Sequence, residues 1–374
     1  MTSNTKWEVV NFFVRASTAD GIEDSLYANS RMQVPVSVFI KALVQGTTKH
    51  YYLTQAELDS IQLVDYDDPT QTLSGTWTYS TQKNGFPCTE AALVKGSMTG
   101  ARGSRDEDDD DNTPQLKVYR VSTSSVEKKN VGASITQPDG TVVATRRGSY
   151  YDSHVTLEGR EPITYTTDNI TVTKENPANG TFTMDWTGGG KSGTSTSPWS
   201  QDNYYVSTTQ HALHKAEIYT YDTTGSGNGT DSDSRLANCY AKRTPGTEMK
   251  LFFIWDDGPE ATKTVGLDRK TTNVQNKITY TLTIHANAAI QVNQKRGALC
   301  LSRLAFRLKD AIWGDEWSYD KCGFTLYDTF GNMGTFYAKF QSDPYYVTAS
   351  SNSDAVVIGN ANPVPSAAGS SSAT

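Results

Sequence analysis

Residues 163–186, with the sequence ITYTTDNITVTKENPANGTFTMDW, decide the fold class of this chain. The apolar residues in this stretch stand two apart: Ile163 and Tyr165, Ile170 and Val172, then Phe182, Met184 and Trp186. A period of two is typical of a β-strand with one apolar face, whereas a helix repeats every three to four residues. Pro177 and Gly180 stand between the two halves, so the pattern predicts a β-hairpin with its turn near Pro177.

The surface that this hairpin faces distinguishes two functions. Packed against other strands, it belongs to a scaffold or binding protein. Facing lipid, a strand needs about 9–11 residues that alternate between apolar and polar side chains. Residues 163–173 have that length, whereas the partner at 181–186 reaches it only by continuing through the glycines at 188–190. We therefore expect a packed sheet, and the alternative is a β-pore-forming, for example insecticidal, toxin that inserts residues 163–186 in membranes.

The amino-acid composition favours β-structure in the rest of the chain as well. Its 374 residues suggest two or three domains, and 36% hydrophobic residues are enough to form cores. The 20 tyrosines and 29 glycines favour strands and turns over helices. We expect an all-β protein with two or more antiparallel β-sandwich domains, immunoglobulin-like or jelly-roll-like, and one or two short helices.

Shifts in composition predict four segments. They are an N-terminal β-sandwich domain at 1–112, an immunoglobulin-like segment at 113–200, a C-terminal β-sandwich domain at 201–348 and a tail at 349–374. The Gly- and Ser-rich residues 187–201 within this plan are predicted to be flexible.

Several local patterns predict individual elements. Thr54 and Glu57 have the spacing of a capping box, which predicts a short helix directly after Thr54. Pro138-Asp139-Gly140 predicts a turn between strands, since proline fixes φ and glycine tolerates a positive φ. Residues 322–340 predict a hairpin, and residues 298–313 fit a strand or a helix, of which we favour the strand.

The net charge limits the class of partner, and the N-terminal residues bear on where the protein is made. A net charge of -7 and an isoelectric point near 5.3 argue against a nucleic-acid partner, since nucleic acid is bound mainly through clustered Lys and Arg. No apolar segment is typical of a signal peptide or of a membrane helix, which needs about 20 residues. We expect synthesis in the cytoplasm and action outside the cell only after release.

Catalytic motifs are missing from the sequence. Residues 188–192, GGGKS, lack the first glycine of a phosphate-binding loop, since Asp185 stands in its place. The four cysteines form no CxxC pair; they are predicted to be buried thiols, with a disulfide between Cys300 and Cys322 as the alternative. We therefore expect neither an enzyme nor a cofactor protein.

Two sets of side chains are weak candidates for ligand binding. The acidic run supplies Asp106, Asp108 and Asp110 for calcium, although the run lacks the Gly and Glu of an EF-hand. Four aromatic residues could stack on a sugar: Trp186, Trp199, Tyr204 and Tyr205.

The function that we expect is a non-catalytic β-sandwich protein acting by binding or self-assembly. Its partners would be copies of itself, or a protein or glycan on a host surface. Pore formation is the first alternative, and only this alternative makes the membrane a partner. A carbohydrate-binding, lectin-like protein is the second alternative.

Overall fold

The computed structural model describes residues 5–86, 113–218, 239–245, 248–308, 315–319, 323–340 and 356–360. It is mostly β-sheet, with 62% strand and 3% helix, which confirms the all-β class. The strands are β1 (Trp7–Ala16), β2 (Glu23–Tyr27), β3 (Val34–Val44), β4 (His50–Tyr51), β5 (Gln62–Asp65), β6 (Trp77–Ser80), β7 (Gln115–Thr123), β8 (Lys128–Thr136), β9 (Val142–Ala144), β10 (Val155–Arg160), β11 (Ile170–Glu175), β12 (Asn179–Gly188), β13 (Lys191–Thr208), β14 (Leu213–Ile218), β15 (Cys239–Pro245), β16 (Glu248–Trp255), β17 (Ala261–Gln275), β18 (Ile278–Val292), β19 (Leu299–Arg307), β20 (Asp315–Tyr319), β21 (Gly323–Asp328), β22 (Met333–Phe340) and β23 (Val356–Gly359). The helix α1 spans Gln55–Asp59, and a 3-10 turn spans Thr167–Asn169.

The chain divides into two compact units. Unit 1 contains Met1–Ile163 and Phe330–Asn332, and unit 2 contains Thr164–Thr329 and Met333–Thr374. The segment boundary expected at residue 112 falls inside unit 1, because β7 forms ladders with β3 and β6 of the same sheet. The boundary expected at residue 200 falls inside β13.

Unit 1 contains two sheets. One has the order β1-β3-β7-β6 with β4 beside β3, and the other has the order β2-β10-β8-β5 with β9 beside β8. Alternate residues of β3 are fully buried: Val34, Val36, Val38, Ile40 and Ala42. They join one apolar cluster with residues of both sheets, including Phe12 of β1 and Leu157 of β10. Since each buried valine or leucine contributes about 1.5–3 kcal/mol, this cluster is the main source of stability in unit 1.

Several local predictions are confirmed in the structure. Thr54 caps α1, and the Glu57 side chain accepts a hydrogen bond from the Thr54 N–H, which completes the capping box. Gly140 adopts a φ of 87° in the turn between β8 and β9. Strands β21 and β22 form the hairpin predicted at 322–340, with Gly331 at a φ of 77° in its turn. Within residues 298–313, the described part contains the strand β19.

Residues 163–186 do not form a hairpin, so that prediction is wrong. Strand β11 pairs with residues 203–208 of β13, whereas β12 pairs with residues 191–200 of the same strand. The two strands therefore lie end to end along β13, and the break between them contains Pro177. Proline has no N–H to donate to a ladder, which explains the break. A period of two predicts that the residues form strands, but it does not predict which strand each one pairs with.

The expectation of a flexible segment at 187–201 is also wrong. Gly189 and Gly190, with φ of 57° and 76°, form the turn between β12 and β13, and β13 then runs for 18 residues. A Cβ atom on Gly193 would lie 2.9 Å from the indole ring of Trp186 on β12. Glycine at residue 193 is therefore explained by the close approach of the Trp186 ring and not by a need for flexibility.

Unit 2 contains a nine-stranded sheet and a four-stranded sheet. The larger has the order β17-β18-β12-β13-β19-β16-β15-β20, with β11 beside β13, and the smaller has the order β14-β21-β22-β23. Residues of the larger sheet form a second apolar cluster, which includes Phe182, Leu251, Phe253, Ile284 and Phe306.

Candidate functional site

Two hairpins at one end of the strand order of the nine-stranded sheet form the most distinctive surface of unit 2. We call residues 179–198 and 261–292 together the double hairpin. In the first hairpin, β12 forms ten residue pairs with β13, from Asn179 and Ser200 to Gly188 and Lys191. In the second, β17 and β18 pair over 15 residues each, and the turn residues Asn276 and Lys277 have φ of 49° and 63°. Two positive φ angles are typical of the tight turn that matches the twist of a hairpin.

The two hairpins join through β12 and β18. Their ladder runs antiparallel from Gly188 opposite Tyr280 to Thr183 opposite His285. Gly188 precedes the first turn, and Tyr280 lies shortly after the second. Both turns therefore lie at the same end of a four-stranded antiparallel sheet.

On the two inner strands of the double hairpin, β12 and β18, one face is apolar, whereas the outer strands place Ser195 and Thr271 on the same face. Met184 and Phe182 of β12 and Leu282 and Ile284 of β18 are buried on this face. Towards the turns the burial decreases: Trp186 and Tyr280 are half-buried and pack edge to face at 6.2 Å between centroids, and Ile278 is 39% exposed. The apolar face therefore extends beyond the part that the core covers.

The opposite face is polar and rich in hydroxyl groups. Its exposed residues include Thr181, Thr183 and Thr187 of β12, Ser192, Thr194 and Thr196 of β13, and Thr272 of β17. On this face the His285 ring lies between two carboxylates, with Nδ1 3.1 Å from Asp268 Oδ1 and Nε2 3.4 Å from Asp185 Oδ2. The Thr194 hydroxyl donates to Asp185 Oδ1 at 2.6 Å, so this chain of polar contacts crosses all four strands. Such exposed contacts contribute little stability each, about 0–1 kcal/mol.

Both sides of the double hairpin are strand edges. Within the residues that the structure describes, β17 forms a ladder with β18 only. On the far side, and again counting only described residues, 191–198 of β13 form a ladder with β12 only, because the described ladder with β19 begins at Trp199; residues 309–314, which follow β19 in the chain, lie outside the described part. A row of unpaired N–H and C=O groups on an edge is a template for pairing with another strand.

Buried amide side chains hold the second hairpin where the backbone ladder ends. The Gln291 N–H donates to Gln201 Oε1 at 3.1 Å, and the Gln291 carbonyl accepts from Gln201 Nε2 at 2.6 Å and from Asn203 Nδ2 at 2.8 Å. Ser302 Oγ donates to Asn203 Oδ1 at 2.5 Å. Gln201, Asn203 and Ser302 are buried, and a buried polar group is costly unless it is hydrogen-bonded. These contacts therefore fix the position of β18 against β13.

The aromatic residues selected from the sequence are mostly in the core. Trp199, Tyr204 and Tyr205 are 7%, 5% and 1% exposed, whereas Trp186 is half-buried at the edge of the second cluster. In this conformation the rings of the first three are packed against protein and offer little surface to a sugar.

The remaining candidate residues from the sequence are the three aspartates of the acidic run and two of the cysteines. Asp106, Asp108 and Asp110 lie outside the described residues. In the described ranges, no group of three or more His, Cys, Asp and Glu side chains is arranged to hold a metal ion. Cys300 is a buried free thiol, and burial raises its pKa to about 11. Cys322 lies outside the described residues.

The chain matches no protein-family model and no curated protein sequence. Across the described ranges, no helix has both the length and the apolar character that a membrane crossing requires.

Proposed function

We propose that this protein is a non-catalytic β protein that acts by self-assembly, with copies joining through the strand edges of the double hairpin. The observation that supports this proposal is β17, which is 15 residues long and forms a ladder on one side only in the described structure. Proteins that remain monomeric usually shorten such an edge or interrupt it with proline. We also propose that the two sheets of unit 1 form a sandwich, immunoglobulin-like or jelly-roll-like, since both sheets contribute to one apolar cluster.

The sequences of the edges support assembly. Strand β17 reads ATKTVGLDRKTTNVQ and contains no proline. Its residues 271–275 carry no charge, and neither do residues 192–198 on the opposite edge. Only these turn-proximal parts lack the charged residues that normally prevent pairing between copies; the rest of β17 carries Lys263, Asp268 and Lys270, and the opposite edge ends at Pro198.

A pair of proline substitutions tests this edge. Successive residues of an antiparallel strand direct their N–H groups to opposite sides. Of Thr271→Pro and Thr272→Pro, one therefore removes an N–H from the free edge, and the other removes an N–H that is bonded to β18. Thermal unfolding distinguishes the two variants, because only the second breaks the ladder of the hairpin.

We expect the unmodified chain to form oligomers, measured by light scattering after size exclusion. The proline variant that retains the unfolding temperature should be monomeric at concentrations where the unmodified chain assembles. Unchanged oligomers in this stable variant would exclude β17 as the assembly edge. A chain that is monomeric at every concentration, and on mixing with membranes, would contradict the proposed function.

Pore formation is a second candidate, favoured by the two faces of the double hairpin. Its inner strands, β12 and β18, alternate between apolar and hydroxyl side chains, as a strand with lipid on one side and water on the other requires. The ladders of 10 and 15 residue pairs reach or exceed the ~9–11 residues that span a membrane. The inserting element would then be the double hairpin and not residues 163–186 alone.

Dye release from liposomes tests this candidate. We expect release by the unmodified chain and much weaker release by Ile278→Asp, which places a charge on the exposed part of the apolar face. Thr279→Asp, at the exposed neighbouring residue on the polar face of the same strand, is the matched control and should retain release. Absence of release by the unmodified chain over a range of pH and lipid composition would exclude pore formation.

A further inference from the structure

We propose that copies join head to tail, with β17 of one copy pairing antiparallel to residues 191–198 of β13 in the next copy. This inference rests on the proposed function and specifies its contact. Both edges belong to the four strands of the double hairpin, which are part of the nine-stranded sheet, and both extend to the end where the turns lie. The partner is thus a second copy of this chain.

The directions of the strands agree with this contact. The pairs β17 with β18, β18 with β12, and β12 with β13 are all antiparallel. Four alternating strands leave the two outer strands, β17 and β13, running in opposite directions. A second copy placed beside the first in the same orientation therefore presents an antiparallel partner at the junction.

The faces of the sheet also agree. Thr194 lies opposite Asp185, Asp185 opposite Thr283, and Thr283 opposite Lys270, which forms one row on the polar face. When the junction pairs Lys270 with Thr194 of the next copy, or shifts by an even number of residues, polar and apolar faces stay continuous. An odd shift would reverse the faces, so the fold selects the even registers.

The symmetric alternative, β17 against β17 of a second copy, fits less well. Strand β17 carries Lys263, Arg269 and Lys270 against the single acid Asp268, so this pairing brings two cationic strands together. Like charges on facing strands are destabilising. It also leaves residues 191–198 unpaired, whereas head-to-tail pairing uses both edges. Contacts between two different surfaces repeat from copy to copy and close into a ring when the rotation allows.

Crosslinking between cysteine variants tests the contact. One chain carries Thr272→Cys, and separate chains carry Ser192→Cys, Thr194→Cys or Thr196→Cys, which occupy the same polar face at even offsets. Neighbouring strands lie about 4.8 Å apart, a distance that a disulfide spans. Ser195→Cys, on the other face of the same strand, is the matched control. The buried Cys300 thiol contributes little background, and the unmodified chain measures what remains.

Each variant is first examined for its unfolding temperature and its oligomeric state, and pairs of variants are then mixed and oxidised. We expect covalent dimers when Thr272→Cys is mixed with at least one of the three same-face variants, several-fold more than with Ser195→Cys. Thr272→Cys alone should give no more than the unmodified chain.

Two outcomes would overturn the inference while the proposed function stands. One is oligomers in which Thr272→Cys crosslinks to itself, which indicates symmetric pairing of β17. The other is oligomers that form no crosslink with any same-face variant. If the size measurement shows no oligomer before oxidation, the proposed function itself fails, and the two failures are therefore distinguishable.

Discussion

Gly266 is the residue in β17 on which the long hairpin depends most. Its φ is 136°, and a Cβ atom at this position would lie 1.6 Å from the carbonyl oxygen of Ala286 on β18. That distance is far inside van der Waals contact with a backbone atom that the ladder holds in place. A side chain at residue 266 therefore requires the two strands to separate.

We predict that Gly266→Ala lowers the free energy of unfolding of unit 2 by at least ~2 kcal/mol, since the backbone strain alone costs roughly 1–3 kcal/mol. Urea unfolding followed by tryptophan fluorescence measures this change. Gly258→Ala, also in unit 2, is the control, because the nearest side-chain atom to a Cβ there is Asn293 Nδ2 at 3.7 Å, an ordinary van der Waals distance. Equal stability of the two variants would show that the strands are not paired at Gly266.

Glu57 gives unit 1 a pH dependence. Partial burial would raise the pKa of this carboxylate, but hydrogen bonds from the Thr54 N–H, Trp7 Nε1 and the hydroxyls of Thr54 and Tyr51 together lower it below the ordinary 4.5. The Trp7 Nε1 and Thr54 N donors each lie 2.7 Å from a carboxylate oxygen. A lowered pKa in the folded state stabilises the fold above the unfolded pKa, and this contribution is lost as the pH falls through the folded pKa.

The unmodified chain should therefore lose stability below about pH 4.5 through this group. Glu57→Gln should be less stable at pH 7 and should show a smaller loss on acidification, measured by urea unfolding at a series of pH values. Replacement of the exposed Glu161 by Gln serves as the control. An identical pH profile for Glu57→Gln and the unmodified chain would contradict the assignment.

At the scale of elements, the sequence predicts helix caps and turns better than it predicts which strands pair with each other. The capping box at Thr54 and Glu57 and the turn at Gly140 involve neighbours in sequence, so their signals are complete within a few residues. The partners of β11 and β12 lie more than 20 residues away in β13, and a period of two contains no information about them.

The edges of the double hairpin were harder still to predict. The first half of β13 lies within residues 187–201, whose Gly, Ser and Thr predict a flexible segment; in the structure, the indole of Trp186 fills the space above Gly193. Strand β17 was missed because Lys, Asp and Arg interrupt its apolar alternation, and its regularity comes from 15 continuous pairs with β18. Both edges are thus defined by contacts that the sequence pattern does not show.

Hydrogen exchange tests whether residues 191–200 form a strand. We predict slow exchange for those amides of this segment that bond to β12, because they open only when the hairpin separates. The loop at residues 256–260 is the reference for fast exchange. Exchange of residues 191–200 as fast as this loop would show that the segment is flexible, as its composition predicts.

At the scale of the whole molecule, unit 2 combines a well-packed sheet with two edges that lack a second partner in the described structure. The buried amides of Gln201 and Asn203 hold β18 in place, so the edge of β17 is presented on a defined element and not on a loose one. An edge that is ordered before association lowers the entropic cost of binding. We therefore expect the double hairpin to pair with a second copy of the chain.

The mass of the unmodified protein in solution tests the central claim most directly. Light scattering after size exclusion, over a range of concentrations and with and without lipid vesicles, gives this mass. The account predicts a species at a whole multiple of 41.0 kDa whose population grows with concentration or on membranes. A mass of 41.0 kDa under all of these conditions would contradict it.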